Sequence, residues 1–233
     1  TLRRGWLDAA LGSLHTKYAA LRSDVERVLK QRNALLRSAG GRLDADGEFT
    51  LDVWDAKLAE TGSALVKARR DLLDEMAGGL TSAYDAVAQK AAEVTAVYQQ
   101  SWDGNLSGAL REARQLDIRR GVTTVGPHRD EILLSIGGAP ARTHASQGEQ
   151  RSLALALRLA ADAVVRVAGI AEPILLLDDV FSELDPGRAG ALLDALPDSQ
   201  RLLTTAAALP PAASPDQILS VVDGRLFDGG VVL

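Results

Sequence analysis

Cysteine is absent from the 233 residues, so the chain can form no disulfide and contains neither a thiolate nucleophile nor a cysteine metal ligand. Histidine is scarce, and its three copies, His15, His128 and His144, are too scattered to suggest a histidine-bound metal cluster. No stretch approaches the roughly 18 apolar residues of a membrane span, and no secretory signal is visible. We therefore expect a cytoplasmic protein that has no membrane partner.

The charge is unevenly distributed along a chain whose net charge is −5. Residues 1–37 carry eight Lys or Arg and three acids, so the remaining residues are strongly acidic. A basic helix on an acidic protein is suited to contact a phosphate backbone, with Lys30 and Arg32 as candidate DNA-binding residues. A solvated helix face explains the same charges equally well.

The spacing of apolar residues predicts long helices over the first half of the chain. A heptad-like seam runs from Leu7 to Leu35, and Arg32 occupies one of its apolar positions. Further stripes predict helices over residues 50–76 and 81–101, with Gly78-Gly79 as the break between them. Residues 1–117 are therefore predicted to form an all-helical arm of antiparallel, coiled-coil-like helices.

Residues 118–233 have the pattern of an α/β domain, in which buried strands alternate with helices. Residues 118–125 and 132–136 are predicted to form a hairpin. An apolar helix follows from residue 146 to about 168, and Asp223-Gly224 is typical of a type I′ hairpin turn. The predicted fold is thus an α/β domain that carries a helical arm.

Two carboxylates follow the apolar run Ile174–Leu177, at Asp178 and Asp179. Such a run predicts a central strand buried on both faces, and ligands bind at the carboxyl ends of strands in open α/β sheets. Mg²⁺ with a nucleotide would compensate the two adjacent charges. An exposed strand end with a capping Asp remains the alternative.

Ser146 precedes an apolar helix and is followed by Gln147, Gly148 and Glu149. A serine hydroxyl and free backbone amides at a helix N-terminus favour an anion. A simple N-cap role for Ser146 explains the same pattern.

Four segments resemble, in this order, motifs of the ABC ATPase family: the signature at 146–151, Walker B at 174–179, the D-loop at 182–185 and the switch loop near Thr204-Thr205. Longer stretches are similar to the RecF family of bacterial DNA replication and repair ATPases: THASQGEQRSLALALRLA at 143–160, PILLLDDVFSELDPGR at 173–188, GPHRDE at 126–131 and ERVLKQRNALL at 26–36. The resemblance extends from about residue 2 to 206.

The resemblance implies an ABC/SMC-type ATPase that binds ATP with Mg²⁺ and double-stranded or gapped DNA. Such a protein acts in recombinational repair at gaps and stalled forks and helps RecO and RecR to load the recombinase. Two heads form an ATP-dependent homodimer, in which each site combines Walker A of one subunit with the signature of the other. Slow hydrolysis would then reset the dimer.

The resemblance also implies roles for individual residues. Asp178 would orient Mg²⁺ through water, and Asp179, in the position of the catalytic carboxylate, would polarise the attacking water. The signature residues Ser146, Gln147, Gly148 and Glu149 would bind the partner's ATP, with Ser146 and Gly148 at its γ-phosphate. Asp185 would bridge to the opposing site. Thr204 or Thr205 would sense the γ-phosphate.

The chain departs from the common ABC pattern at three points. Asp179 stands where many family members have Glu, Gln147 replaces the first Gly of the signature, and a Thr occupies the switch position where most transporters have His. The shorter acid suggests slow hydrolysis, and together the changes argue against a transporter.

No Gly-x-x-x-x-Gly-Lys-[Ser/Thr] sequence occurs anywhere in the chain. Without that loop, the β- and γ-phosphates of ATP have no cradle within the same chain. We therefore expect a fragment, the arm and the carboxyl-terminal half of an ATPase head, that does not hydrolyse ATP by itself. We expect the intact protein to be a weak ATPase.

His128 and Arg129 could contact DNA or nucleotide, or they could stabilise the turn in which they lie. For function, the alternatives are another SMC-like ATPase, which would have a much longer coiled coil, and a non-catalytic scaffold that binds partner proteins.

Overall fold

Helices form most of the fold, and the strands among the described residues form three small sheets. The computed structural model describes residues 2–169, 173–182, 184–206 and 208–231. The helices are α1 Leu2–Leu14, α2 Thr16–Ser38, α3 Ala45–Ala88, α4 Leu106–Arg120, α5 Ala141–His144, α6 Gln147–Val167 and α7 Pro186–Ala195. The strands are β1 Val94–Gln99, β2 Glu131–Ile136, β3 Ala139–Pro140, β4 Leu175–Asp178, β5 Arg201–Thr204, β6 Gln217–Val222 and β7 Arg225–Val231. None of the described helices is long and apolar enough to cross a membrane.

The central element is α3, a single helix of 44 residues where the sequence predicted two. At 1.5 Å per residue it is about 66 Å long. The predicted break at Gly78-Gly79 is wrong, because a glycine within a helix costs only about 1 kcal/mol and the flanking turns are packed. Met76 and Leu80, on either side, are each 1% exposed.

Residues 94–99 form strand β1, where a helix over 81–101 was predicted. All six residues pair antiparallel with β2, from Val94 opposite Ile136 to Gln99 opposite Glu131. The predicted strand at 132–136 is therefore confirmed, but its hairpin partner at 118–125 is wrong. That region begins in helix α4, whose last turn packs Ile118 against Leu36 and Leu51.

The first predicted helix is divided at His15, whose side chain caps α2 by accepting a hydrogen bond from the Lys17 amide. The proposed boundary between 1–117 and 118–233 stays a prediction. One hydrophobic cluster contains residues from both sides of it, including Leu7 of α1 and Leu153 of α6. α6 packs along α3, so the helical arm and the α/β part are joined by an apolar interface.

The apolar run before Asp178 forms β4, which pairs in parallel with β5. The prediction that both faces of this strand are buried is wrong: Leu177 is 9% exposed, whereas Leu176 is 72% exposed. The hairpin predicted near the end of the chain is confirmed as β6–β7. Its turn has positive φ at Asp223 and Gly224, as a type I′ turn requires.

Arg32 is fully buried, so its assignment as a DNA-binding residue is wrong. Its Nε donates to Asp55 Oδ1 at 2.7 Å, and its Nη1 donates to Asp117 Oδ2 at 2.7 Å. Nη1 also donates to the hydroxyl of Thr123 at 2.9 Å. The guanidinium thus ties α2 to α3, to α4 and to the loop after α4, which explains a cation at an apolar heptad position.

A second buried network, below the GPHRDE segment, is centred on Arg69. Its guanidinium forms a two-point ion pair with Asp8 and donates to the carbonyl of Pro127. The hydroxyl of Tyr98 donates to Asp130, and burial raises the pKa of that carboxyl. These contacts hold the turn at residues 126–130 against α1, α3 and β1.

His128 lies within this turn, where its Nε2 donates to the carbonyl of Thr123 at 3.2 Å, since a carbonyl can only accept. Burial lowers the pKa of His128 to about 4. Its geometry favours the turn-stabilising alternative. Arg129 also donates to the Thr123 carbonyl, at 3.1 Å, but its side chain is exposed.

Replacing Arg32 with Ala should lower the free energy of unfolding by about 3–5 kcal/mol, because Asp55 and Asp117 lose the cation that compensates their burial. Urea denaturation measures the change. Arg27→Ala is the matched control, since its ion pair with Asp24 is exposed and contributes at most about 1 kcal/mol. Equal losses in both variants would contradict the assigned role.

Replacing His128 with Gln should flatten the pH dependence of stability between pH 6.5 and about 4. In this window the imidazole is protonated in the unfolded chain but not in the folded chain. The free energy of unfolding is therefore highest above pH 6.5, and it decreases as the pH is lowered, by at most about 1.4 kcal/mol per pH unit. The amide of the substituted side chain can still donate to the Thr123 carbonyl. Chemical denaturation at several pH values measures the slope. The exposed His144→Gln variant should keep the wild-type slope, and an unchanged slope in His128→Gln would refute the prediction.

Candidate functional site

The predicted Walker B and switch residues meet at the carboxyl ends of β4 and β5. The hydroxyl of Thr204 donates to Asp178 Oδ1 at 2.5 Å. The Asp179 amide donates to the Thr204 carbonyl at 3.0 Å, and the Thr204 hydroxyl lies 3.3 Å from the same amide. Parallel pairing of the two strands produces this juxtaposition, because it brings their carboxyl ends to one edge. Thr205 follows directly and is half-buried.

Asp179 adopts the left-handed backbone conformation, with φ 49°. Asp is one of the few residues that tolerates this conformation. The hydroxyl of Ser182 donates to the Asp179 carbonyl at 2.9 Å, which fixes the turn after β4. The Asp179 backbone is therefore held from both sides, while its side chain is exposed to solvent.

The oxygen atoms at this edge suit Mg²⁺, which prefers carboxylate and water ligands completed by nucleotide phosphates. Asp178 and Asp179 are both exposed, so a cation and its water shell have access to them. No group of three or more acidic or histidine side chains in the described residues could hold a metal unaided. The residues present thus fit an ion that arrives with a nucleotide.

The predicted signature begins at the N-terminus of α6. Ser146 and Glu149 form a capping box: the Ser146 hydroxyl accepts from the Glu149 amide at 3.2 Å, and Glu149 Oε2 accepts from the Ser146 amide at 2.9 Å. The pKa of Glu149 is lowered by the Ser146 amide, then by the Ser146 hydroxyl and by Lys90. The N-cap alternative is thus realised, and Ser146 and Gln147 remain exposed.

The helix that follows the predicted D-loop contacts the predicted signature within the same chain. Asp185 is the N-cap of α7 and accepts from the Arg188 amide at 3.0 Å. The Arg188 guanidinium lies against Gly148, so closely that a Cβ at that position would clash with Nη1. Gly148 therefore leaves the space that the arginine fills. Glu183, within the predicted D-loop, lies outside the described residues.

Two residues of this arrangement were missed by sequence reasoning. Arg188 is one, and only its position three residues after Asp185 could have suggested it. Lys90 is the other: it forms an ion pair with Glu149 at 3.2 Å across 59 positions, a separation that no local pattern signals. Among the described residues, neither Ser146 nor Glu149 forms a hydrogen bond with Asp178 or Thr204.

The candidate DNA-binding residues are divided by the structure. Lys30 and Arg129 are exposed, whereas Arg32 is fully buried and His128 is half-buried in its turn. Only the exposed pair is accessible to an external phosphate.

The chain is similar to curated proteins described as DNA replication and repair protein RecF. It is 44% identical to the one from Frankia alni in an alignment of 223 positions, gaps included, that covers 88% of this chain and 59% of that protein. The RecF proteins of Renibacterium salmoninarum and Streptomyces avermitilis are 40% and 43% identical over 88% of the chain. The chain thus spans about three fifths of the length of these relatives. No protein-family model matches it.

Two solved structures have the same fold. The structure described as the recombination mediator protein RecF-ATP in the RecFOR pathway superposes with a TM-score of 0.83 at 26% identity, over 98% of this chain and 62% of that one. A second structure of that mediator, described as RecF-ATPrS, gives a TM-score of 0.82. The agreement extends over nearly the whole length of this chain, the helices and the α/β part alike. In sequence and in fold, the chain matches a part of RecF proteins.

Proposed function

We propose that this chain supplies the signature, Walker B, D-loop and switch elements of an ATP-dependent DNA-repair ATPase. In that protein, ATP binds between two copies, and the signature of one copy completes the site of the other. The proposal depends most on one observation: Asp178 and Thr204, predicted from separate motifs, are joined by a 2.5 Å hydrogen bond at one sheet edge. This is the edge where α/β folds bind nucleotides.

The two acids at this edge would have different tasks. The Asp178 carboxylate, oriented by the Thr204 hydroxyl, would hold water molecules of a bound Mg²⁺. That ion would neutralise phosphate charge. The exposed Asp179 carboxylate would accept a proton from the attacking water. Because Asp is shorter than the Glu of many ABC proteins, Asp179 would hold that water less closely, and hydrolysis would be slow.

The signature would contribute to the opposing site. The N-terminus of α6 presents the positive end of the helix dipole and the backbone amides of its first turn at Gln147 and Gly148, while the Ser146 amide is bonded to Glu149. Arg188, in contact with Gly148, adds a positive charge at the same place. A γ-phosphate of the partner's ATP matches this electrostatic environment. Asp185, the cap of α7, would meet the opposing subunit beside it.

The wider role follows from the relatives. Their descriptions name DNA replication and repair, and the structural neighbour is described as a recombination mediator in the RecFOR pathway. For the intact protein, we propose binding of double-stranded and gapped DNA, ATP-driven dimerisation and cooperation with RecO and RecR in loading recombinase. Slow hydrolysis would release the dimer.

The test uses a hybrid in which this chain replaces the matching region of Frankia alni RecF. The hybrid should dimerise when ATP is added, as measured by light scattering after size exclusion. Asp179→Asn should lower ATP turnover by about 10²–10⁴-fold but leave ATP-dependent dimerisation intact, because it removes a proton acceptor and not a binding group. The chain by itself should show no turnover.

The matched control is Asp194→Asn, which removes an exposed acid on α7. It should leave both dimerisation and turnover unchanged. A hybrid that dimerises equally well without ATP would favour a non-catalytic scaffold. Turnover by the isolated chain that Asp178→Ala abolishes would show that the composite site is unnecessary.

Gly148→Ala should separate stability from signature function. The added methyl displaces only the flexible end of Arg188, and Ala stabilises a helix relative to Gly by up to about 1 kcal/mol, so the melting temperature should hold or rise. ATP-dependent dimerisation of the hybrid should weaken. Combining it with Arg188→Ala relieves the clash. If Gly148→Ala dimerises like the wild type, the contact has no role in the composite site.

A further inference from the structure

Four exposed cations surround the short loop that follows α4, residues 121–124. They are Lys30 and Arg37 of α2, Arg120 at the end of α4, and Arg129. Two of them were proposed from sequence, and two were not. These four residues are called the basic cluster below.

The loop lies on one face of α2. Asn33 Oδ1 accepts from both the amide and the hydroxyl of Thr123, each at 2.7 Å. Lys30 precedes Asn33 by three residues and Arg37 follows it by four, so all three lie on the same stripe of the helix. Lys30 and Arg37 therefore flank the point at which the loop contacts α2.

The other side of the loop is equally basic. A Cβ at Gly121 would lie 3.6 Å from Cγ of Arg37, so this side chain packs beside the cap of α4, and Arg120 is the residue before that cap. Nη2 of Arg129 lies 3.1 Å from the Thr123 carbonyl. The basic cluster is thus assembled from three separate segments of the chain.

None of the four cations forms an ion pair with a described residue, whereas several other cations of α2 and α3 pair with an acid on the same helix. Arg22 pairs with Glu26, Arg27 with Asp24, and Lys57 with Glu60. The acid nearest to the loop in sequence, Asp117, is buried and is bound to Arg32. The helix dipole accounts for cations in the last turns of α2 and α4, but not for Lys30 or Arg129.

The base of the loop is rigid. Arg32 donates to the Thr123 hydroxyl from below, and Asp117 accepts from the amide of Thr124 at 2.9 Å. The loop backbone is therefore held in place by Arg32 and Asp117, which form a buried ion pair with each other. A partner that binds the basic cluster would not have to order this backbone, which lowers the entropic cost of binding.

We propose that the basic cluster binds the phosphate backbone of duplex DNA. This inference rests on the proposed function, and it replaces Arg32 and His128 with Arg37 and Arg120 as DNA contacts. Lys30 and Arg37 are seven residues apart, or about 10 Å along α2. Counted over both strands, duplex DNA carries one phosphate charge per about 1.7 Å of its axis, so this distance corresponds to about six phosphates, about three on each strand.

The experiment measures binding of the 233-residue chain to a fluorescent 30-base-pair duplex by anisotropy, without nucleotide, across a series of salt concentrations. The test variant is Arg37→Gln with Arg120→Gln, which removes two charges and leaves the Arg32 contacts in place. The slope of log K against log salt is negative, and the loss of two phosphate contacts should make it shallower by about 2. Affinity should fall to the same degree for duplexes of different sequence.

The control variant is Arg111→Gln with Arg225→Gln, which removes two exposed arginines away from the loop. It should bind with the wild-type slope, and equal melting temperatures would show that all variants fold. Normal DNA binding and slope in the Arg37/Arg120 variant would overturn the proposal and leave an acidic protein as the better partner for the cluster. Equal slope losses in both variants would overturn it as well, since binding would then follow net charge.

The failure of this inference can be distinguished from the failure of the proposed function. If the unaltered chain binds no duplex even at the lowest salt, the basic cluster is not a DNA site, whatever the hybrid does with ATP. If the chain binds DNA through the cluster but the hybrid does not dimerise with ATP, the DNA surface stands and the composite ATP site does not.

Discussion

The guanidinium of Arg32 lies where α2, α3, α4 and the loop after α4 meet, and it bonds to a side chain of each of the other three. A buried cation of this kind is stable only while all its partners are present. It therefore fixes the relative positions of three helices in a way that apolar contacts, which tolerate sliding, do not. The exposed Lys30 and Arg37 lie on the same helix as Arg32, so the buried Arg32 contacts also fix their positions.

The opposite end of the fold depends on close approach and not on buried charge. Gly148 has no side chain, so the guanidinium of Arg188 lies directly on the first turn of α6. Lys90, just after α3, adds an ion pair to Glu149 of the same turn. Movement of α7 or of the end of α3 would therefore disturb the predicted signature directly, whereas the predicted Walker B edge is held by its own separate hydrogen bonds.

Local signals in the sequence predicted much of the candidate site. The capping pattern at Ser146 placed the start of α6, and the apolar run before Asp178 placed β4, because both depend on neighbouring residues. The non-local features were missed. Strand β1 pairs with residues 131–136, far along the chain, so its own sequence resembled a helix. Arg32 resembled a solvated cation, because Asp55 and Asp117 lie 23 and 85 positions away.

Helix α3 is attached at both ends to different partners: Asp55 to Arg32 near its start, and Val87 to the cluster around Leu192 near its end. An α-helix turns about 100° per residue. Inserting or deleting one residue between these points would thus rotate one attachment relative to the other by more than a quarter turn. Loops can change length during evolution, but the number of residues between Asp55 and Val87 cannot change in this way, because it determines the angle between the two attached faces of α3.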